Sequence, residues 1–485
     1  MNKRLILKYI GYMLVIEGIF MLPSVGIALY RKESASFFAF LLTIAVLEGV
    51  GFLFVSLNRK KDGNFYAKEG FCTVALSWII MSLFGALPLY ISGAIPSYVD
   101  CFFEIVSGFT TTGATILSDI EALPRSLLYW RSFTHWLGGM GVLVFILAIV
   151  PLSSENGNSL HILRAESPGP VVGKLVSRMK TTARILYAIY IMLTVIEIVL
   201  LLLGGIPLFD AVTISYGTVG TGGFAITNNG IASYDSYYLQ GVITVFMILC
   251  GVNFNIFYLL LMREFKLAFK NLELRVYLGV ILASTLLITW NTFGMYDSLR
   301  SAFHHSIFQV VSIITTTGFA TVDFNLWPEF SKMILFILMF IGASAGSTGG
   351  GIKVSRCIIM YKSIKNEIKK LIHPRSVKLI RMDGKILSDD TMHSVSIYFG
   401  TYFAIFALSI LVVSLDGFSF MTTVSSVAAC LNNIGPGFDV VGPLGNFGSL
   451  SVLSKLVLSA DMLIGRLEIF PMLLLFSPSL WIRSK

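Results

Sequence analysis

Apolar positions run along this chain in long, nearly unbroken stretches rather than in strict alternation. Stretches of about 20 residues suit helices that cross a hydrocarbon core, whereas a membrane barrel would show alternating strands of about 10. Two such helices are predicted first, over 5–30 and 36–57, followed by the basic turn Asn58-Arg59-Lys60-Lys61. One unit then recurs four times: a spanning helix, a short apolar helix, a glycine-containing loop and a second spanning helix. Its segments are 70–92, 98–110 and 128–151, then 183–204, 207–219 and 237–262. The third unit has 274–293, 298–314 and an inner segment from 331, and the fourth has 394–414, 418–431 and 449–476. The pattern predicts an all-α polytopic membrane protein of ten spans with four re-entrant segments and both termini inside. Its units are a two-helix segment (1–69) and four repeats at 70–152, 153–262, 263–360 and 361–485, arranged around one central pore.

The short helices carry most of this reading. About 13 helical residues rise only ~20 Å, too little for a core of ~30 Å, so each must return to the face it entered, with its loop shielded by protein. The loops are Thr110-Thr111-Thr112-Gly113-Ala114-Thr115, Gly220-Thr221-Gly222-Gly223-Phe224-Ala225, Thr315-Thr316-Thr317-Gly318-Phe319-Ala320 and Asn432-Asn433-Ile434-Gly435-Pro436-Gly437. An interfacial helix and an ordinary external turn would explain any one copy as well. Four copies in register favour four quarters of a pore, in which backbone carbonyls replace the water shell of a monovalent cation.

Composition agrees with a membrane protein. Of the 485 residues 55% are hydrophobic and 13% charged, against about 25% charged in soluble proteins, and mean hydropathy is +0.80. The net charge of +9 raises nucleic acid as a partner, but most of the 36 Lys and Arg fall at the termini and in loops on one side. That is the positive-inside pattern, which marks the cytoplasmic face, and no nucleic-acid role is expected. The five cysteines are scattered without metal-like spacing, so no disulfide framework is expected. The first apolar run is too long for a signal-peptide core and holds Glu17, which favours an uncleaved span.

Each loop suits a weakly hydrated ion. Glycine admits the positive φ that turns carbonyls to one side, and the short helix aims its partly negative C-terminus at the same point. No ring of carboxylates is present, so K⁺ fits better than Ca²⁺ or Mg²⁺. The fourth loop departs most from the others, and the ring is not four-fold identical.

Two further features stand out. The stretch Gly342-Ala343-Ser344-Ala345-Gly346-Ser347-Thr348-Gly349-Gly350-Gly351-Ile352-Lys353 interrupts the third inner helix with five glycines. It fails the spacing of a phosphate-binding loop, which leaves a hinge or gate and a helix-packing face as readings. Arg466 lies about midway along the final predicted span, at a cost of ~2.5–3.5 kcal/mol on insertion scales. It either faces the pore, where it would repel cations, or locks helices through Glu468, Asp461 or a carbonyl. Glu104 and its counterpart Gln309 read as structural hydrogen-bonders, His304 and His305 as interfacial, and Glu197 as either a proton-path group or a polar contact. No catalytic constellation appears, so an enzyme is not expected.

Together the four loops, the 342–353 motif and Gly465-Arg466-Leu467-Glu468 resemble the TrkH/TrkG/KtrB potassium-transport superfamily over nearly the whole chain, with the two extra N-terminal helices closest to the TrkH/TrkG branch. The resemblance implies a K⁺ selectivity filter at Thr111, Thr112, Gly113, Thr221, Gly222, Gly223, Thr316, Thr317, Gly318, Asn433, Ile434 and Gly435. It also implies a gate below the filter, formed by Gly346, Gly349, Gly350, Lys353 and Arg466. A homodimer in the inner membrane is implied, with a TrkA-type gating subunit on its cytoplasmic side. The chain itself is expected to bind no cofactor, so NAD or ATP would act only through that partner. H⁺ coupling, Na⁺ coupling and channel-like flux are equally compatible with the sequence. A secondary transporter of an organic solute is the rival from another class, although it would usually show two repeats rather than four. A non-transporting membrane scaffold would leave the four loops without a reason.

Overall fold

The structure, a computed structural model, describes residues 2–58, 67–139, 141, 179–374 and 379–478. The basic residues 59–61, most of the second half of the 128–151 helix, nearly all of the 153–182 loop and part of the 361–392 loop lie outside the described residues.

Helices α1 (Lys3–Arg31) and α2 (Ser34–Leu57) form an antiparallel hairpin through a left-handed Lys32. Gly11 and Gly51 face each other across it, so close that a Cβ on Gly11 would sit 2.8 Å from the Gly51 carbonyl oxygen. The first repeat follows as α3 (Ala67–Gly85), α4 (Leu87–Ile91), the pore helix α5 (Tyr98–Phe109) and the inner helix α6 (Arg125–Gly139). The second comprises α7 (Met179–Leu203), the pore helix α8 (Leu208–Val219), α9 (Tyr237–Cys250) and α10 (Phe254–Leu261), then the connecting α11 (Phe265–Lys270). The third has α12 (Leu272–Thr292), the pore helix α13 (Leu299–Ile314), α14 (Glu329–Ile341) and α15 (Val354–Ile372). A two-residue hairpin, β1 (Arg381–Met382) with β2 (Lys385–Ile386), precedes the fourth repeat. That repeat is α16 (Asp389–Val413), the pore helix α17 (Phe420–Leu431), α18 (Val452–Arg466) and α19 (Phe470–Leu475).

Among the described residues, six helices are long and apolar enough to cross a membrane: the two N-terminal helices and the outer helix of each repeat. The inner elements differ from expectation. The predicted continuous helix 237–262 is broken, with α9 and α10 meeting at 93°. The bend follows from Asn253, whose side chain caps α10 by accepting from the Asn255 N–H. The last predicted span, 449–476, is interrupted at Glu468 and Ile469, both with positive φ, before Pro471 opens α19. Arg466 is therefore at the end of a helix, not midway along one.

The interior inverts the soluble pattern. Leu408, Leu411 and Trp290 are exposed on the outer helices, while Thr110–Thr112, Thr315–Thr317, Asn432 and Asn433 are fully buried at the centre. Such a centre is stable only if its polar groups bond to one another, and the pore loops are built on that requirement.

Candidate functional site

The four loops share one backbone conformation. Thr111, Thr221, Thr316 and Asn433 have φ of 55°, 55°, 58° and 56°, and two residues later Gly113, Gly223, Gly318 and Gly435 have φ of 83°, 77°, 82° and 98°. The residues between them stay out of the left-handed region, so each loop alternates in hand. A left-handed threonine costs about 1–3 kcal/mol, and its recurrence at the same register in three loops marks a functional constraint. The N–H of the middle residue always returns to the pore helix: Thr112 to Ser107 O (2.9 Å), Gly222 to Gly217 O (2.8 Å), Thr317 to Ser312 O (2.9 Å) and Ile434 to Ala429 O (2.8 Å). These four donors are thus satisfied by the pore helices.

The loops also close on each other. A Cβ on Gly113 would run into the carbonyl oxygen of Gly222, one on Gly223 into Thr317, one on Gly318 into Ile434, and one on Gly435 into Thr112. Each glycine therefore lies on the residue that precedes the glycine of the next loop, and the sequence of contacts returns to its start. Above this ring opens a mouth lined by all four glycines and by Arg131. The rim is fastened by Asn228, whose side chain accepts from the Ile120 N–H and donates to Asp119, by Asn325 with Asp439, and by the Phe447 N–H donating to Thr115 O.

Below the ring lies the non-helical stretch 342–353. Gly350 N–H donates to the Thr316 hydroxyl at 2.6 Å, and a Cβ on Gly349 would sit 2.7 Å from Thr315 O. The stretch fills the bend between α9 and α10: Ser344 N–H donates to Gly251 O (3.0 Å), and Phe254 N–H to Gly346 O (3.0 Å). The stretch and the helix after it share one carboxylate, because Glu273 of α12 accepts from the N–H groups of Ala345 (2.7 Å) and of Ser355 in the first turn of α15 (3.1 Å). Two cations hold its carbonyls. Lys353, fully inside the protein, donates to Gly349 O. Arg466 donates to Thr348 O (2.7 Å), Gly139 O (2.8 Å) and Gly138 O, so it joins the stretch to the first repeat. Glu468 pairs with Arg356 at 2.5 Å.

All twelve residues expected in the filter and the five expected at the gate therefore converge on one axis-centred assembly. Lone sequence reasoning missed what stands beside them. Glu104 is a hydrogen-bonder as expected, accepting from the Thr115 hydroxyl and Ile116 N–H, but it also pairs with the buried Arg131 at 2.5 Å. Its counterpart Gln309 is buried without a hydrogen-bond partner among the described residues, so the expected parallel between the two does not hold. The signal for Arg131 was present, since a charge among apolar helix positions needs a partner. His304 bonds Gln240 (2.7 Å) and His305 bonds Thr321 (3.1 Å) near the outer end of α13, while Glu197 is fully buried in α7.

The family model of TrkH, a cation transport protein, matches residues 34–483. This chain belongs to the TrkH family. The Trk system potassium uptake protein TrkH of Salmonella typhimurium is 36% identical over 487 residues, covering 99% of this chain and 100% of the relative. The Trk system potassium uptake protein TrkG of Escherichia coli K12 is likewise 36% identical, with 99% of each chain covered. The crystal structure of the potassium transporter TrkH from Vibrio parahaemolyticus superposes with a TM-score of 0.89 at 33% identity, covering 99% of this chain and 100% of the other. The TrkH-family chain is thus a helical, multi-pass membrane protein, with the four-loop ring at its centre.

Proposed function

We propose that this chain is the pore-forming, K⁺-translocating subunit of a Trk-type potassium uptake system in the inner (plasma) membrane, with both termini cytoplasmic. The observation that carries the reading is the closed ring of four loops with one shared alternation of backbone hand. Such a ring offers a dehydrated monovalent cation a cage of carbonyl dipoles without fixed negative charge. K⁺ sheds its water at lower cost than Na⁺, and the relatives' names point to the same ion.

In this reading the 342–353 stretch is a gate. It lies directly beneath the ring, it is irregular where a helix would leave a straight passage, and Lys353 and Arg466 put two positive charges beside it. The filter residues position the ion, and the two cations raise the barrier below it. The basic cytoplasmic segments are the docking surface for a TrkA-type nucleotide-binding partner, through which NAD or ATP acts, and the working unit is a homodimer. Proton coupling, Na⁺ coupling and passive flux are the three modes of uptake open to such a pore.

Flux measurements on purified protein in liposomes test this. Uptake should favour K⁺ and Rb⁺ over Na⁺ and Li⁺, and a pH gradient should drive it if protons are coupled. Equal uptake of all four ions would sink the filter reading, and transport of an organic solute instead would favour the secondary-transporter class.

A further inference from the structure

Each filter loop needs a brace, because carbonyls aimed at one point repel each other. The first and third loops brace themselves: the Thr110 and Thr112 hydroxyls lie 2.8 Å apart, as do those of Thr315 and Thr317. In the fourth, Asn433 donates to the Thr112 hydroxyl (3.0 Å) and to Met462 O (2.8 Å). The second loop has glycine at 220 and 222, where the first and third carry the threonines of that brace. It is the most permissive backbone of the four and lacks this internal tie.

Its brace comes from another repeat. Arg131 and His135 are one turn apart on α6 and hold Phe224, the residue that follows the filter glycine. The Arg131 guanidinium lies 3.5 Å from the Phe224 ring centroid, and the His135 ring stacks on the same ring at 4.1 Å and 23°. Arg131 also donates to Ala225 O (2.8 Å) while Glu104 fixes its other edge, and His135 Nδ1 accepts the Phe224 N–H (3.4 Å). The His135 ring occupies the space where a side chain on Gly222 would be. Glycine at 222 and histidine at 135 are therefore two halves of one fit. Among the residues that follow the four filter glycines, Phe224 is the only one held in this way among the described residues.

We infer that Arg131 and His135 are specificity-positioning residues: they hold the second filter loop in register, and the discrimination between K⁺ and Na⁺ depends on them although neither supplies a filter carbonyl. The inference rests on the filter reading above. A loosened second loop would follow a smaller ion inward, so Na⁺ would gain most.

The test compares wild type, His135→Ala, His135→Phe and Arg131→Lys as purified protein in liposomes, measuring K⁺ and Na⁺ uptake and thermal stability together. His135→Ala should lower the K⁺/Na⁺ ratio several-fold, and His135→Phe should retain most of it because the stacked ring survives. Arg131→Lys should also lower the ratio, since an ammonium keeps the charge but lacks the planar fork that spans Glu104 and Ala225. A ratio within about twofold of wild type in both His135→Ala and Arg131→Lys overturns the inference, whatever happens to stability. If Arg131→Lys does not fold, the two His135 variants decide alone. Wild type that fails to discriminate K⁺ from Na⁺ brings down the filter reading itself, a result distinct from loss of the brace.

Discussion

Gly350 donates its backbone N–H to the Thr316 hydroxyl at 2.6 Å, which makes the irregular stretch under the pore and the third filter loop members of one hydrogen-bonded unit. Movement of one cannot leave the other untouched. Deleting part of 342–351 should therefore raise K⁺ flux and also lower selectivity, because Thr316 loses its partner. Unchanged flux in a well-folded deletion would favour the packing role over the gate.

The carboxylate of Glu273 ties that stretch, at Ala345, to the helix that follows it, at Ser355. Bonds to a charged acceptor contribute about 1.5–3 kcal/mol each, and an amide in its place keeps the shape but not the charge. Glu273→Gln should increase basal K⁺ flux several-fold without the partner protein. Flux at the wild-type level, with stability reduced, would make Glu273 a fold anchor only.

Arg466 is bonded to carbonyls of two repeats, so its removal has two separable effects. Two unit charges ~6 Å apart at an effective dielectric of ~20 repel by ~3 kcal/mol, an upper figure here because the carbonyls draw off part of the charge. Arg466→Ala should raise flux several-fold, and Arg466→Lys should retain part of the restriction. A parallel fall of flux and melting temperature in Arg466→Ala would assign the residue to helix locking.

The filter glycines should not be equally sensitive. Three of them lie hard against a neighbouring carbonyl, whereas a Cβ on Gly435 would have 2.7 Å to its nearest atom. A non-glycine residue in the left-handed region adds about 1–2 kcal/mol in every case. Gly435→Ala should keep more K⁺ preference than Gly223→Ala or Gly318→Ala, as read from Na⁺ competition against Rb⁺ uptake. The reverse order would contradict the ring geometry.

At the rim, Asn228→Ala removes two side-chain bonds, to Ile120 and Asp119, between the first and second repeats. The loss should be about 1–2 kcal/mol, visible as a lower melting temperature than that of Asn229→Ala. Equal melting temperatures would mean that the rim bond adds nothing to the fold.

The four-fold plan was legible because it repeats: a glycine at fixed distance from a short helix is a weak sign once and a strong one four times. What escaped was what repetition does not reveal. The bend at Gly251–Asn253 sits inside one apolar run, so hydropathy continues straight through it, and only Asn253 as a cap hinted at a break. The break at Glu468 and Ile469 puts a β-branched residue at φ 69°, against local preference, beside a Glu468 that pairs with Arg356 from another helix. Arg131 was an isolated charge in the sequence, because Glu104, Phe224 and Ala225 reach it from two other segments. Its role depends on which neighbours the chain brings to it.

The contacts around the ring all run in one sense, from each glycine to the carbonyl of the following quarter. The pore is therefore a directed cycle, with a clockwise unlike its anticlockwise. An injury to one quarter is passed to the quarter it leans on before it reaches the one behind. Second-site suppressors of a Gly113 variant should accumulate in the second loop, those of Gly223 in the third, those of Gly318 in the fourth and those of Gly435 in the first. Four unequal copies fused in one polypeptide can be tuned one neighbour at a time, a freedom that four identical subunits do not have.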